Sequence, residues 1–356
     1  MAEKRGIRAL IKRFIVGAVL VGSVLFAITP APYVIEMPGP VFNALGSLGD
    51  KQIVTVVGAK TYATDGQFDV LTVQTRGTPE GKPSWVEVLL AMMNSDVKVV
   101  PIDEIYPPGS TQKDQEQETT RMMLDSQRDA IAVALKKSGY KFKSWLAVDA
   151  VISGRPADGL IKPDDILKSV NSIEPHSLKD VTDQIEKRAG KAVDFQIIRD
   201  GKPKTVSVTP FLDPQSGHYR VGMQLGFRYD FPIDVKVDLG DVTGPSAGLT
   251  FTLGVIDTLD ARSLTSGNKV AATGTIGADG SVGAIGGVQL KMKAALASGA
   301  KFMLAPVENC NEIVGHIPAG LQVVAVSNID EALAALEQLR VQKKPPTSTK
   351  LGCPTR

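Results

Sequence analysis

Ser246 lies in the run Gly244, Pro245, Ser246, Ala247, Gly248, just ahead of a segment in which Leu249, Leu253, Ile256 and Leu259 recur at helical spacing. Proline suits the first turn of a helix, where its missing N–H costs nothing. The serine is thereby set at a helix N-terminus, beside unpaired N–H groups and the positive end of the helix dipole. Such donors stabilise the oxyanion that forms when a hydroxyl attacks a carbonyl. The flanking Gly244 and Gly248 admit a sharp turn and the close approach of a substrate backbone. A serine that merely caps a helix has the same local pattern. What separates the two is a base, because an unassisted serine hydroxyl is a poor nucleophile.

Histidine is scarce: His176, His218 and His316 lie far apart, and nothing marks His218 or His316 as the base of a triad, so both read as surface residues. Two lysines compete instead, Lys291 and Lys293, on a helix predicted over 288–298. Three and four positions from Lys291 stand Gly287, Val288, Ala294 and Ala295, all small or apolar. Around Lys293 the same count finds Gln289, Leu290, Leu296 and Ala297, a mixed set. Small neighbours let a fold close over an amine, which leans towards Lys291, although the helical wheel leaves both open. Desolvation matters because a free lysine, with a pKa near 10.4, is useless as a base at neutral pH, and burial lowers it.

The elements that must position these groups follow from the pattern around them. A strand is predicted over 270–276, a hairpin turn at Asp279 and Gly280, and a returning strand over 282–285, before Gly286, Gly287 and the lysine helix. Buried strands are predicted over 302–304 and 323–326, and Asn328 is placed to cap a last helix over 331–339. Upstream, 53–57 and 70–73 read as strands, Ser84 as the cap of a helix over 85–93, and 114–137 as a helix with acids early and Lys136 and Lys137 at its end. Between them lies a strand–helix module: strands over 148–152, 166–170, 193–199 and 205–209, with an amphipathic helix over 178–189.

At the start, Lys4, Arg5, Arg8, Lys12 and Arg13 face no acid, and 14–28 carries no charge. That run is shorter than the roughly 20 residues of a comfortable bilayer span, but the mostly apolar 29–35 extends it. The basic flank keeps the N-terminus in the cytoplasm and sends the rest outside. A retained single-pass anchor is expected; a cleaved signal peptide and a buried helix of a soluble protein are the alternatives. The net charge of +2, from 40 basic and 38 acidic residues, gives no support to nucleic-acid binding. No P-loop string occurs, and two cysteines cannot build a disulfide framework or a four-cysteine zinc site. Outside the membrane a Cys310–Cys353 disulfide is an alternative, but with Cys353 in a polar tail both are expected to be unpaired, and no cofactor or metal is expected.

Two resemblances sharpen this reading. Ser153–Ala157, the stretch from Gly159 through Asp164 and Asp165 to Leu167, Val170–Ile173, and Arg199 with Asp200 and Gly201 resemble a PDZ domain of the bacterial, protease-associated kind. Such domains bind extended peptides by adding a strand to a sheet edge. The usual Gly-Asp is Asp164-Asp165 here, and the carboxylate-binding loop is expected near 139–143. The second resemblance rests on Gly244 to Gly248, Thr273 to Ile276, Gly283 to Gly287, Lys291, and Ala305 to Asn309, which together look like the proteolytic domain of the Lon family. It implies Ser246 as nucleophile, Lys291 as base, and Thr273, Gly244 and Ala247 in support. Two departures are Thr243, where the family often has Asp, and the lack of an ATPase module.

The expected fold is therefore α+β and multidomain: an N-terminal transmembrane helix, a PDZ-like β-rich module and a Lon-type α/β proteolytic domain. The boundaries are a basic cytoplasmic segment 1–13, an anchor 14–35, an extracytoplasmic region 36–139, a PDZ-like domain 140–212, a proteolytic domain 213–340 and a flexible tail 341–356. The implied protein is a membrane-bound serine endopeptidase that acts on polypeptides without ATP. The resemblance also suggests a homo-oligomer, with a hexameric ring as its form. An inactive, membrane-anchored peptide-binding adaptor is the alternative.

Overall fold

The computed structural model describes residues 14, 16, 17, 22, 26–214, 216–342 and 353. The chain first lays down β1 (Tyr33–Asn43), β2 (Gln67–Arg76), α1 (Trp85–Met92), β3 (Lys98–Pro101) and α2 (Gln112–Lys137). A second group follows: β4 (Lys143–Val151), β5 (Ile166–Val170), α3 (Leu178–Glu186), β6 (Val193–Arg199), β7 (Lys202–Val208) and β8 (Met223–Asp230). The third comprises α4 (Gly248–Leu259), β9 (Lys269–Ala272), β10 (Thr275–Ile276), β11 (Val282–Gly283), α5 (Val288–Ala297), β12 (Phe302–Pro306), β13 (Gln322–Val326) and α6 (Ile329–Gln342).

Six strands form one sheet in the order β13-β12-β9-β2-β1-β3, parallel from β13 to β2 and antiparallel beyond. Its side chains alternate between two cores, as the period of two along a strand requires. Phe68, Val70, Val270, Ala272, Phe302 and Leu304 pack with α2, α4 and α6 on one face. Leu71, Ala271, Met303 and Ala305 pack with α5 on the other. Five antiparallel strands, β7-β6-β5-β4-β8, form the second sheet, closed by α3 through Val181 and Ile185. Both long N-terminal helices carry capping boxes, Ser84 with Glu87 on α1 and Thr111 with Asp114 on α2.

The sheets redraw the expected partition. Strands β1, β2 and β3, from the region set apart as 36–139, pair within the sheet of the proteolytic part, so both regions make one body. Strand β8, assigned to the proteolytic part, pairs with β4 instead. The second sheet is thus an insertion between α2 and the rest. The anchor boundary of 35 also moves back, because Tyr33, Val34 and Ile35 are in β1 and paired with β3. Most of 14–28 lies outside the described residues, and among the described ones no helix is long and apolar enough to cross a membrane. The cysteines are not free: Cys310 and Cys353 form a disulfide. The tail expected over 341–356 therefore begins inside α6 and is tied down at Cys353; its other residues lie outside the described ones.

Asp164 has a φ of +68°, a left-handed conformation that glycine adopts at least cost, which accounts for the glycine usual at that place. Asp165 is buried and takes a two-pronged bond from Arg199, Nε to Oδ1 at 2.7 Å and Nη2 to Oδ2 at 2.6 Å.

Candidate active site

Strand β9 stops at Ala272, so β2 loses its parallel neighbour beyond Val70 and runs on to Arg76 with that edge open. The sheet has a gap there, and the two helical layers meet across it. From one face comes the start of α4, preceded by a 3₁₀ turn, Pro245–Ala247, with Pro245 in its first turn. From the other comes α5, carrying Lys291. The Lys291 Nζ is 2.8 Å from the Ser246 Oγ and donates to the Thr273 Oγ1 at 3.3 Å. Thr273, the first residue past β9, is fully buried and donates its hydroxyl to the Ser246 carbonyl at 3.1 Å. The Gly274 N–H reaches the same carbonyl at 2.9 Å.

Lys291 is only 3% exposed, and burial pushes its pKa down from 10.5 to about 8. Lys293 points elsewhere: its amine pairs with Asp96 at 3.0 Å and bonds the Ser95 carbonyl, on a side chain one-third exposed. The ambiguity left by the helical wheel is resolved in placement, since only one of the two amines reaches Ser246. His218 pairs with Glu186 at the end of α3, and His176 and His316 are exposed.

Two close approaches require glycine. A Cβ on Gly248 would stand 2.6 Å from the Ser126 Oγ and 2.8 Å from the Ile276 Cγ2. Gly287, with φ +67°, opens α5, and a Cβ there would meet the Val73 Cγ2 at 2.8 Å. Gly244, with φ +94°, sends its N–H to the Thr119 carbonyl at 3.1 Å, and Ala247 is buried beneath the turn. The string ending in Glu308 and Asn309 proves to be a clamp. Glu308 accepts from the Ala284 N–H at 2.9 Å, and Asn309 exchanges two bonds with Ile285, at 3.0 and 2.9 Å, fixing the loop that leads into α5.

Sequence reasoning missed the part played by α2. Its Ser126 hydroxyl donates to the Pro245 carbonyl at 3.0 Å, so this helix holds the segment that carries Ser246. One turn further on, Asp129 accepts a bond of 2.6 Å from the Tyr229 hydroxyl on β8. Burial, opposed by that bond, raises the Asp129 carboxyl to about 6. No spacing in the sequence pairs Ser126 with a carbonyl 119 residues away.

A cleft of about 680 Å³ opens over Ser246 and Lys291, walled by the open edge of β2 from Leu71 to Thr75 and by Met123. Glu36 lines it too, its carboxyl raised by burial against the opposing Lys98. A second groove, of about 570 Å³, lies between α3 and the start of β8, lined by Leu178, Val181, Ile185, Val221, Met223 and Leu225. Strand β8 is the outer strand of its sheet, so its far edge is open. The carboxylate-binding loop expected near 139–143 would lie ahead of β4, but β4 is an inner strand, paired with β5 and β8, and the outer strand beside this groove is β8.

Residues 216–338 match the family of the Lon protease (S16) C-terminal proteolytic domain, and residues 130–209 match the PDZ domain family. Among similar proteins, Lon protease 2 of Bacillus subtilis is 36% identical over 121 residues, covering 34% of this chain and 20% of that protein. The Lon protease of Lachnoclostridium phytofermentans is 31% identical over 121 residues, covering 33% of this chain and 15% of that protein. That of Buchnera aphidicola is 34% identical over 119 residues, 32% of this chain and 15% of that protein. The chain thus spans a fifth or less of these relatives' length. Among solved structures, the PDZ domain of an SdrC-like protein of Listeria innocua covers 23% of this chain and 92% of its own, at 19% identity and a TM-score of 0.21. A Lon-type proteolytic domain and a PDZ domain are therefore present in this chain.

Proposed function

We propose that the chain is a serine endopeptidase that cleaves flexible polypeptide segments through a Ser246–Lys291 dyad, without ATP. One observation carries this reading: a buried, partly neutralised amine stands 2.8 Å from the hydroxyl of a serine at a helix start. In its neutral form Lys291 takes the Ser246 proton as the oxygen attacks the peptide carbonyl. The N–H groups at the start of α4 receive the developing oxyanion. The ammonium then protonates the leaving amine, and water releases the acyl-enzyme. Thr273 holds the amine in line through its hydroxyl, and the open edge of β2 receives the substrate backbone as an added strand.

The PDZ domain binds a peptide along β8 and delivers or gates substrate. The bonds from Tyr229 to Asp129 and from Ser126 to Pro245, both on α2, support a mechanical link between that groove and the nucleophile. The basic N-terminus and uncharged 14–28 run support a single-pass anchor with the catalytic body outside the cytoplasm, and the Lon resemblance supports a homo-oligomeric ring. The test is cleavage of an unfolded protein by Ser246→Ala, Lys291→Ala and Lys293→Ala. The first two variants lose activity and the third keeps it. Activity surviving in Ser246→Ala refutes the dyad, as does loss with Lys293→Ala alone.

A further inference from the structure

Helix α1 is apolar on two sides. Its inner side, through Val88, packs on Ala31 and Ile35. Its outer side carries Val86, Leu89, Leu90 and Met93 at positions i, i+3, i+4 and i+7, exposed by 42, 55, 63 and 84%. An apolar helical stripe of that spacing is built to be covered. The helix's one charge, Glu87, is turned away to Ser84 and Arg76. What lies beside the stripe identifies its cover. Trp85 stacks on Phe26, at the end of the uncharged 14–28 run, with ring centroids 5.5 Å apart, and meets Tyr33 edge-on at 5.7 Å. The Trp85 backbone N–H bonds the Thr29 carbonyl at 3.2 Å, and the Ala31 backbone N–H bonds the Pro83 carbonyl at 2.7 Å. Of the described residues of the run, the large apolar ones, Phe14, Val16, Phe26 and Ile28, are themselves more than half exposed. Tryptophan and tyrosine favour the level of lipid headgroups.

We propose that the outer face of α1 beds in the headgroup–acyl boundary of the bilayer, beside the point where the 14–28 run emerges. An interfacial helix of this kind buries its apolar side a few ångströms deep without crossing. The proposal rests on the anchor reading given above. A lipid surface fits better than a protein partner because the stripe is continuous with an uncharged run that already needs lipid. It also fixes the body's orientation, since the loop after α1 is pinned to α5 by the Asp96–Lys293 pair at 3.0 Å.

The experiment places the full chain in nanodiscs of phosphatidylcholine with plain or brominated acyl chains. Trp85→Phe and Trp145→Phe silence the two native tryptophans, and Leu90→Trp supplies one reporter. Met93→Trp is the second reporter, at a position open enough to leave folding alone. In brominated discs either reporter loses about half its emission or more, as burial at the acyl boundary requires. Leu212→Trp, an exposed control in the PDZ part, loses none. Protein held in the discs with unquenched reporters overturns the proposal while leaving the anchor standing. If such unquenched emission is blue-shifted, a second copy or a partner protein covers the face instead. Protein recovered outside the discs overturns the anchor reading and this placement with it.

Discussion

Replacing Lys291 with methionine should abolish cleavage and yet stabilise the protein near neutral pH. The lysine is buried, and its pKa falls from 10.5 to about 8 through burial. A tenfold change in an acid dissociation constant corresponds to about 1.4 kcal/mol, so the native state bears a cost of about 3 kcal/mol for keeping this amine charged. Below pH 8 both native and unfolded chains hold the proton, and the native state carries the full cost. Between about 8 and 10.5 the native amine is neutral while the unfolded one is still charged, so the cost fades as pH rises. Methionine is of similar length, uncharged and adaptable. It forfeits the bonds to Ser246 and Thr273, each worth about 1 kcal/mol. The net gain is about 1–2 kcal/mol at pH 6–7, or a rise of a few degrees in the melting temperature of the proteolytic body. By pH 10 that gain should vanish or reverse. Thermal melts of wild type and Lys291→Met in the same detergent, at pH 6, 7, 9 and 10, give the difference directly. A variant less stable than wild type by the same amount at every pH would refute the reasoning, because the amine would then be an ordinary packed lysine with no desolvation cost.

Three further outcomes rest on named contacts. The cleavage rate should climb through about pH 8 and level off above it, with about a tenth of the lysine neutral at pH 7; a flat profile from pH 6 to 9 would remove Lys291 as the base. Asp164→Gly should raise the stability of the PDZ part by about 0.5–1 kcal/mol in urea melts, because its φ of +68° suits glycine; a loss would mean that the aspartate side chain does more than occupy the turn. Cys310→Ser should destabilise the proteolytic body by about 2–4 kcal/mol, since the disulfide closes a loop of 43 residues, and dithiothreitol should destabilise the wild type by a similar amount while leaving the variant unchanged.

Much of the fold is legible in the sequence because local signals agree with the tertiary demand. The caps Ser84 and Asn328 begin the helices that their types and places predict, and β5 and β6 have the bounds their alternating residues set. The predicted single strand over 270–276 breaks into β9 and β10, because Thr273 and Gly274 leave the sheet to hold the Ser246 carbonyl. Neither the disulfide nor the true domain boundary is legible. Cys353 stands in a polar stretch with no apolar pattern to place it, and strand pairing between β2 and β9 spans about 200 residues that no periodicity links.

The strand break and the dyad geometry have one cause. A parallel strand that continued past Ala272 would pair with β2 to its end and would separate α4 from α5 by a full layer of sheet. Stopping β9 at Ala272 leaves Thr273 between the layers, and lets an amine from one hydrophobic core reach a hydroxyl at the edge of the other. The same stop frees the edge of β2 from Leu71 to Thr75, beside Ser246, which is the edge proposed to receive the substrate backbone. Lysine suits this crossing: Lys291 is buried on α5, whose Val288, Ala294 and Ala295 belong to the second core, and its terminal nitrogen reaches Ser246 and Thr273. A histidine at position 291 would have a shorter reach than lysine, so the sheet that separates the two cores favours lysine at the position proposed for the base.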